Sequence, residues 1–295
     1  MKVDADRFLV KAGSRVRLRR FGTADTRPFE SKEQAEGRLA RDIARLFGLQ
    51  EVLYAEQRWS LLLVFQAMDA AGKDGVIKHV MSGLNPQGTT VASFKAPSAG
   101  DLSHDFLWRV SAALPERGRI GVFNRSHYEE VLVVRVHPEL VENQRLPEDL
   151  VTRKLWEQRY EDINAFERHL ARSGTVIRKF FLHLSKEEQR RRFLERLDDP
   201  AKNWKFSLAD ARERERWDDY MAAYEEMLSA TSTTHAPWYV VPADHKWFTH
   251  LAVASIIIEA LEGLGLAFPK PGRAQRRELQ LARRHLEGGR AGRKR

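Results

Sequence analysis

Residues 61–80 read LLLVFQAMDAAGKDGVIKHV, and this stretch decides how the rest of the chain is interpreted. It begins with an apolar run, continues through small residues, and carries Lys73 directly after Gly72. An uninterrupted apolar run is typical of a central parallel strand that is covered on both faces. A helix after it would offer unpaired N–H groups and a positive dipole end to an anion. The stretch therefore predicts a strand, a phosphate-binding loop and a helix that begins near Lys73.

The loop departs from the common phosphate-loop pattern, G-x-x-x-x-G-K-[ST]. Ala67 and Asp74 occupy the first and last positions, and Asp69 lies between them. A carboxylate beside a phosphate is repulsive unless a cation separates them, so the loop predicts a magnesium site at Asp69, with Asp74 as a second candidate ligand. The alternative is an ordinary strand-to-helix turn with capping aspartates. The residues expected to bind phosphate are Ala70, Ala71, Gly72, Lys73, Asp74 and Gly75.

The surrounding sequence alternates apolar segments with helical patterns. Such alternation predicts an α/β fold, with a parallel five-stranded sheet flanked by helices in three layers. Ser185 and Glu188 predict a capping box for the helix after the fourth strand. The predicted strands are 60–66, 89–95, 119–123, 175–184 and 238–243, and the main predicted helices are 33–57, 73–82, 101–114, one ending near 136, 148–172 and 207–229.

A second polar group follows the third predicted strand, in the sequence FNRSHYEEVLVVRVHP. Asn124 and Arg125 come where that strand ends, which is the sheet edge that also carries the loop, and ligands bind at this edge in α/β folds. Arg125 has the planar fork needed for bidentate contact with a phosphate. Glu129 and Glu130 open the next predicted helix, where acidic residues are favourable for the helix dipole alone. The two glutamates are therefore open to either interpretation.

A third group of charges lies before the last predicted strand. Arg196 ends one predicted helix, and a loop with Lys202 and Lys205 leads to another that starts near Ser207. Two helices joined by a basic loop resemble a kinase lid, which excludes water and brings positive charge over phosphates. The alternative is a solvated helical pair held by salt bridges within each helix.

Composition limits the classes of protein to consider. The chain has 295 residues, a net charge of +9 and no cysteine, which excludes a disulfide framework and a thiolate nucleophile or metal site. Ten Lys and Arg against two Asp and Glu occupy residues 270–295, which either attract a polyanion or form a solvated tail. The absence of an apolar signal core and of a membrane-length apolar run predicts a cytoplasmic protein without membrane association.

Taken together, these motifs resemble the family-2 polyphosphate kinases, which are nucleotide phosphotransferases that use inorganic polyphosphate. The resemblance covers about residues 28–265. It implies a P-loop kinase fold with a helical lid, and phosphoryl transfer between inorganic polyphosphate and a nucleotide with Mg²⁺ or Mn²⁺. The motifs that carry it are LLLVFQAMDAAGKDG (61–75), SGLNPQG (82–88), SFKAPS (93–98), HDFLWR (104–109), GRIGVFNRSHYEEVLVVRVHP (118–138) and NWKFS (203–207).

The resemblance also implies roles for individual residues. Asp69 would bind metal and Lys73 the phosphates, while Arg125 and Arg196 would steady the transferring group. The lysines of the lid would grip the substrates. The organisation implied is an N-terminal segment and helix at 1–57 that packs on the core, a P-loop kinase core at 58–268 with its lid at about 198–230, and a basic tail at 269–295.

Asn124 and Glu129 stand where many members of the family have Asp and Asn. Both differences resemble the subgroup that phosphorylates AMP as well as ADP, so the expected products are ADP and ATP. Glu129 would either bind metal, in place of the missing carboxylate, or contact the nucleotide. Family members usually assemble as dimers or tetramers, so a homo-oligomer is expected. The residues expected to bind the nucleotide are Asn124, Arg125, Tyr128 and Glu129.

Two other functions compete with this interpretation. An ATP-dependent nucleoside monophosphate or small-molecule kinase would use the same fold, because fold alone does not define the substrate. The missing hydroxyl residue of the loop weakens that alternative, and the extended set of basic residues favours a longer anion. A nucleic-acid-binding protein would act through the basic ends. Since the phosphate loop lies in a body that is close to neutral, nucleic acid is not an expected partner.

Overall fold

A parallel sheet of five strands forms the centre of the protein, and the computed structural model describes residues 2–288 apart from the side chain of Lys205. The strand order is β2-β3-β1-β4-β5 and every pair is parallel. The predicted α/β class and strand number are confirmed. The strands are β1 (Ser60–Ala67), β2 (Thr89–Ser93), β3 (Ile120–Asn124), β4 (Thr175–His183) and β5 (Trp238–Pro242).

The strand order places the ends of β1 and β3 side by side. After β1 the chain runs out to β2 at the edge, returns to β3, and then crosses β1 to reach β4 and β5. Phe65 of β1 is in register with Asn124 of β3, and Ala67 is in register with Leu182 of β4. A crevice therefore opens at the carboxyl ends of these strands, where ligands bind in sheets of this type.

Helices cover both faces of the sheet and make the three layers that the alternating pattern predicted. The α-helices of the described chain are α1 (Lys32–Glu56), α2 (Lys73–Val80), α3 (Trp108–Ser111), α4 (Val133–Val136), α5 (Leu155–Arg172), α6 (Lys186–Asp198), α7 (Leu208–Glu213), α8 (Trp217–Thr231), α9 (Lys246–Glu262) and α10 (Arg273–Gly288).

Strand β1 is apolar throughout because it contributes to two cores. Leu61, Leu63 and Phe65 belong to the core formed with α1, α2 and α9, and Leu62 and Val64 belong to the core formed with α5 and α8. Side chains of successive strand residues point to opposite faces. The unbroken apolar run is thus explained by burial of both faces of β1. This burial holds in place the strand that carries the loop.

Several predicted helices are shorter than expected. The helix predicted at 101–114 is a 3₁₀ turn followed by α3, because Asp101 accepts hydrogen bonds from the Ser98 N–H and hydroxyl, both at 2.8 Å, and so stabilises a turn. The helix predicted to end near 136 is broken at Leu132, where ψ is −83°. The helices predicted at 148–172 and 207–229 likewise begin with short 3₁₀ or α segments before α5 and α8.

The chain before β1 packs on the core. The Val10 N–H donates to the Trp238 carbonyl at 2.9 Å and the Val240 N–H donates to the Phe8 carbonyl at 2.8 Å, which extends the edge of β5. Helix α1 lies against α9. At the other end, residues 273–287 of α10 are all exposed, and residues 289–295 of the predicted basic tail lie outside the described part. None of the helices described within residues 2–288 combines the length and apolar character needed to cross a bilayer.

Candidate active site

The loop between β1 and α2 has the left-handed backbone positions of a tight phosphate loop. Gly72 caps α2 with a φ of 98°, a conformation that glycine adopts without steric cost. Ala70 has a φ of 62°, which is uncommon for a residue with a Cβ and is held only when the surroundings impose it. The loop is therefore fixed by contacts from other elements.

Arg192 of α6 supplies those contacts. Its guanidinium donates to the Ala70 carbonyl at 3.0 Å and to the Ala71 carbonyl at 3.2 Å. The same group donates to the carbonyls of Ala243 at 2.7 Å and Asp244 at 3.0 Å, just after β5. A planar fork with five N–H donors suits this joining of two loops. The terminal nitrogens of Arg192 are therefore engaged with protein carbonyls.

Lys73 lies at the start of α2 and turns back over the loop. Its Nζ donates to the Ala67 carbonyl at 2.9 Å. Burial lowers the pKa of Lys73, and the Asp69 carboxylate acts in the opposite direction. An ammonium that is removed from bulk water and directed at the loop is well placed to meet an anion.

Arg125 follows β3 and meets the loop from the other side. Its backbone has a φ of 62°, and its N–H donates to the Phe65 carbonyl of β1 at 3.1 Å. Its guanidinium lies 3.2 Å from an Asp69 carboxylate oxygen and 3.8 Å from a Glu129 oxygen. Burial alone would lower the pKa of Arg125, but the two carboxylates outweigh burial and raise it. Arg125 thus stays charged between two acids.

The remaining acids of the crevice differ in their surroundings. The Asn124 side-chain amide donates to the Asp74 carboxylate at 2.7 Å, which engages that carboxylate within the protein. Burial raises the pKa of Glu129, while Arg125 and Lys73 oppose the rise. Within the described residues no group of three or more His, Cys, Asp or Glu side chains is arranged to hold a metal ion.

Two cavities meet at this point. The larger, of about 950 Å³, runs along the phosphate loop, and the smaller, of about 360 Å³, lies under the lid segment. Three residues line both cavities: Asp69, Arg125 and Asp210. Two ligands could therefore approach each other across Asp69 and Arg125.

The larger cavity collects most of the predicted phosphate-binding residues. Lys95, Lys246 and Arg192 also line it and add positive charge that the motif analysis did not assign. Arg196 and Lys202 reach it from α6 and the loop after it. The predicted residues that line it are Asp69, Ala70, Ala71, Gly72, Lys73, Asp74, Gly75, Asn124, Arg125, Arg196 and Lys202.

Apolar and polar groups share the smaller cavity. Predicted residues Asp69, Arg125 and Glu129 line it. His137 lies 3.1 Å from Glu213, whose carboxylate also accepts a hydrogen bond from the Tyr220 hydroxyl at 2.8 Å. The apolar wall of the smaller cavity is formed by Ala67, Met68, Leu132, Val133 and Leu140.

Two of the predicted nucleotide-binding residues are not among the described residues that line the smaller cavity. Asn124 lines the larger cavity and is absent from the described lining of the smaller one, although it was expected to contact the nucleotide. Tyr128 is fully buried with its hydroxyl bonded to Glu167 at 2.7 Å, and it is not among the described residues that line either cavity. The side chain of Lys205 is outside the described part of the structure.

Sequence reasoning missed the residues that join the lid segment to the loop. The Arg214 guanidinium donates to the Gln189 side-chain oxygen at 3.0 Å, and the Gln189 amide donates to the Asp69 carbonyl at 3.0 Å. Gln189 is buried and lines the smaller cavity. A glutamine in a charged helix carries no pattern of its own, so only the fold reveals this link.

Comparison with known proteins identifies the family. The sequence profile described as Polyphosphate kinase 2 (PPK2) matches residues 29–266. The chain is 53% identical to an ADP-polyphosphate phosphotransferase of Rhodopseudomonas palustris, over 97% of this chain and 99% of that protein. It is 48% identical to an AMP/ADP-polyphosphate phosphotransferase of Meiothermus ruber, over 90% of this chain and 96% of that protein.

A solved structure agrees with the sequence comparisons. The crystal structure of Polyphosphate Kinase 2 from Arthrobacter aurescens TC1 superposes with a TM-score of 0.85 and 41% identity, covering 95% of this chain and 99% of that one. The similarity therefore extends over both the sheet and the segments around the two cavities. With a family profile that spans most of the sequence and relatives that match over nearly their whole length, this chain belongs to the polyphosphate kinase 2 family.

Proposed function

We propose that this protein transfers phosphoryl groups from inorganic polyphosphate to AMP and ADP, producing ADP and ATP. Family membership and the activities for which the two bacterial relatives are named support the reaction class. The observation that carries the proposal is the meeting of two cavities at Asp69 and Arg125, since transfer requires donor and acceptor to be aligned at one point.

The larger cavity suits the donor. Polyphosphate is a chain of linked anions, and it needs a long groove with positive charge distributed along it. Arg125 lines both cavities, and Lys73, Arg196, Lys202 and Lys246 line the larger one. Lysine and arginine side chains bind phosphate oxygens by charge-assisted hydrogen bonds. We assign the terminal donor phosphate to the loop and the remainder of the polymer to this groove.

The smaller cavity suits the nucleotide. Its apolar wall at Met68, Leu132, Val133 and Leu140 can cover a base and ribose, while Arg125 and Asp69 stand at the end where an acceptor phosphate must point. Cavities of about this size, lined by apolar residues with a few polar groups, are typical of small-ligand sites. The lid residues Asp210 and Arg214 would close over the bound nucleotide.

The chemistry requires alignment and charge neutralisation more than proton transfer. The attacking atom is an oxygen of the acceptor phosphate, which is already anionic, so no strong general base is needed. Negative charge spreads over the equatorial oxygens of the transferring group, where Lys73 and Arg125 would stabilise it. Arg125 is held between Asp69 and Glu129, and this placement keeps its guanidinium at the junction of the two cavities.

Magnesium or manganese completes the proposed site. Asp69 and Glu129 line the same cavity, and Mg²⁺ is usually bound by one or two carboxylates together with substrate phosphates and water. The two carboxylates therefore fit an ion that is shared with the substrate. When bound, the ion would supply charge neutralisation for phosphate oxygens next to the acidic loop.

The identity of the donor separates this function from its main rival. Purified protein is incubated with AMP, Mg²⁺ and polyphosphate as the sole source of phosphoryl groups, and nucleotides are separated by chromatography. We expect ADP to form first and ATP to follow. If ATP serves as donor and polyphosphate does not, the chain is an ATP-dependent nucleoside monophosphate or small-molecule kinase instead.

The acceptor range is tested in the same assay. The relative from Rhodopseudomonas palustris is named for ADP alone and the relative from Meiothermus ruber for both nucleotides. Glu129 supports acceptance of AMP, because this residue type at this position resembles the AMP/ADP subgroup. Phosphorylation of ADP without phosphorylation of AMP would restrict the function to ADP.

A further inference from the structure

Buried polar groups anchor the back of the segment that carries Arg125 and Glu129. Arg125 and Glu129 line the smaller cavity, and the three residues between them, Ser126, His127 and Tyr128, are buried. Ser126 accepts a hydrogen bond from the Gln66 amide at 3.1 Å. Tyr128 reaches further into the core between β4 and α5, and its position immediately before Glu129 links the site to that core.

Tyr128 belongs to a closed hydrogen-bond network with Glu167 of α5 and Lys179 of β4. The Tyr128 hydroxyl donates to Glu167 Oε1 at 2.7 Å. Lys179 Nζ donates to the Tyr128 hydroxyl at 2.7 Å, to Glu167 Oε2 at 2.5 Å and to the Thr231 carbonyl at 2.8 Å. All three N–H donors of the ammonium are therefore used, and each partner fixes its direction.

The network is charged and entirely removed from solvent. Lys179 and Tyr128 are 0% exposed and Glu167 is 1% exposed. Burial lowers the pKa of Lys179 to about 8. Burial opposes ionisation of Glu167, but Lys179 and His127 together outweigh burial and lower the pKa of that carboxyl. Burial also raises the pKa of Tyr128 well above its usual value, so its hydroxyl stays protonated as a donor at neutral pH.

A buried ion pair of this kind is a poor way to gain stability, because desolvation of both charges offsets their attraction. Apolar residues of similar volume would fill the same space. A fully satisfied network does impose fixed distances and directions on its members, which apolar packing does not. Tyr128 joins this network to the site segment, so the constraint is passed to Arg125 and Glu129 on either side of it.

The backbone of the segment needs such a constraint. Arg125 has a φ of 62°, which is unfavourable for a residue with a Cβ and persists only where neighbouring structure imposes it. One restraint is the hydrogen bond from the Arg125 N–H to the Phe65 carbonyl at 3.1 Å. The Tyr128 network provides a second restraint three residues further along the chain.

From this geometry we infer that Tyr128, Glu167 and Lys179 are positioning residues for phosphoryl transfer, which hold Arg125 and Glu129 at the junction of the two cavities. The inference rests on the proposed function for its kinetic consequence. Because none of these three residues is among the described residues that line the two cavities, the network should affect the rate of transfer more than the binding of either substrate.

The test compares Tyr128→Phe with Tyr160→Phe. The first change removes the bonded hydroxyl and keeps the ring, which packs edge-to-face on Trp238. Tyr160 is a matched control, because it is buried in the same core and its hydroxyl has no hydrogen-bond partner among the described residues. For both variants, kcat and KM are measured with polyphosphate and ADP at a temperature where thermal unfolding shows the protein to be folded. Crystal structures of the parent and of Tyr128→Phe are solved as well.

We expect Tyr128→Phe to lower kcat about tenfold with KM values within about twofold, since small misplacement of a catalytic group is costly. Tyr160→Phe should keep the parental kcat. In the crystal, the Arg125–Asp69 contact should lengthen. An unchanged kcat for Tyr128→Phe, or an equal loss in Tyr160→Phe, would overturn the inference. If the parent itself lacks polyphosphate-dependent activity, the proposed function fails. If the site segment of the Tyr128→Phe crystal superposes on that of the parent crystal, the positioning role is overturned independently of the proposed function.

Discussion

At the scale of single residues, Asp69 is where the proposed donor, acceptor and metal converge. Its carboxylate lies 3.2 Å from Arg125 and lines both cavities. Asp69→Asn keeps the size of the side chain and removes the charge that would attract Mg²⁺. We expect the magnesium concentration for half-maximal rate to rise at least about tenfold, as for other losses at metal sites. Rates are measured across a magnesium titration.

The control for that change is Asp218→Asn, which alters an exposed carboxylate of α8 outside the described cavity linings. It should leave the titration curve unchanged. A parental rate at low magnesium in Asp69→Asn would contradict the role given to this carboxylate.

Lys73 allows the phosphate loop to be tested without disturbing the core. Lys73→Met removes the ammonium and retains most of the volume, so kcat/KM should fall about 10³-fold through lost transition-state charge stabilisation. The free energy of unfolding should change by less than about 1 kcal/mol, because desolvation of a partly buried ammonium offsets its one hydrogen bond to Ala67. Kinetics and urea unfolding measure the two quantities.

Lys78→Met serves as the matched control, since Lys78 lies exposed on the same helix. Equal losses of activity in the two variants would show that the position of Lys73 at the loop has no special importance.

Glu129 tests the choice of acceptor. Glu129→Asn introduces the residue expected at this position in many members of the family. It should lower the AMP rate relative to the ADP rate by about tenfold or more, which is the scale of one lost polar contact. Glu129→Gln separates charge from shape. The ratio of the two initial rates is measured for each variant, and an unaltered ratio in both would remove Glu129 from acceptor selection.

Local sequence predicts some of these residues and not others, for a physical reason. Asp69, Lys73 and Arg125 come shortly after the ends of β1 and β3. Because these strands are parallel, the three residues lie at one edge of the sheet, and the sequence alone predicts this. Arg191 and Arg192 lie in one arginine run and both pair with Glu188 of their own helix, yet Arg192 alone of the two also donates to the Ala70 and Ala71 carbonyls among the described contacts. Only the packing of α6 distinguishes the two arginines.

At the scale of elements, apolar runs predict strands more reliably than helical patterns predict helices. All five strands occur within two residues of their predicted bounds, because continuous burial demands apolar residues at every position. Residues 101–114 satisfy a helical pattern but form turns. There Asp101 and Asp105 hydrogen-bond to nearby backbone N–H groups and compete with the helix. The spacing of apolar residues along the sequence does not reveal that competition.

Strand β4 ends in a histidine that makes stability depend on pH. Burial lowers the pKa of His183 to about 4, so the unfolded chain binds a proton at this residue before the folded one does. Stability from this residue is therefore lost as pH falls from about 6.5 towards 4, and the loss at pH 5 is about 2 kcal/mol. His183→Gln should reduce the drop in unfolding free energy between pH 7 and pH 5 by that amount.

Urea unfolding at the two pH values measures the drop. His169→Gln, on the exposed side of α5, is the control and should behave as the parent does. An identical drop in parent and His183→Gln would show that this histidine does not contribute to the acid sensitivity.

At the scale of the whole molecule, we expect the body to be independent of the basic C-terminal region. Residues 273–287 are exposed along their entire length. Ending the chain after Lys270 should therefore change the free energy of unfolding by less than about 0.5 kcal/mol, as for other surface changes, and leave kcat unaltered. Calorimetry and the polyphosphate assay measure the two quantities, and a large loss of stability would reveal a contact of α10 with the body.

The whole fold is also what assembles the site from distant parts of the sequence. The Gln189 amide reaches the Asp69 carbonyl across 120 positions of sequence, and the lid residue Arg214 holds Gln189. A motif describes neighbours in sequence, so it predicts the loop and the third-strand segment. The link from lid to loop follows from the contact of α6 with the loop after β1, which no single segment encodes.

The most direct test of the central claim is a crystal structure with polyphosphate and a nonreactive AMP analogue bound together. The account predicts polyphosphate along the cavity of the phosphate loop and the nucleotide in the smaller cavity, with the facing phosphates meeting between Asp69 and Arg125. Polyphosphate bound away from the loop, or a nucleotide occupying the larger groove in its place, would contradict it.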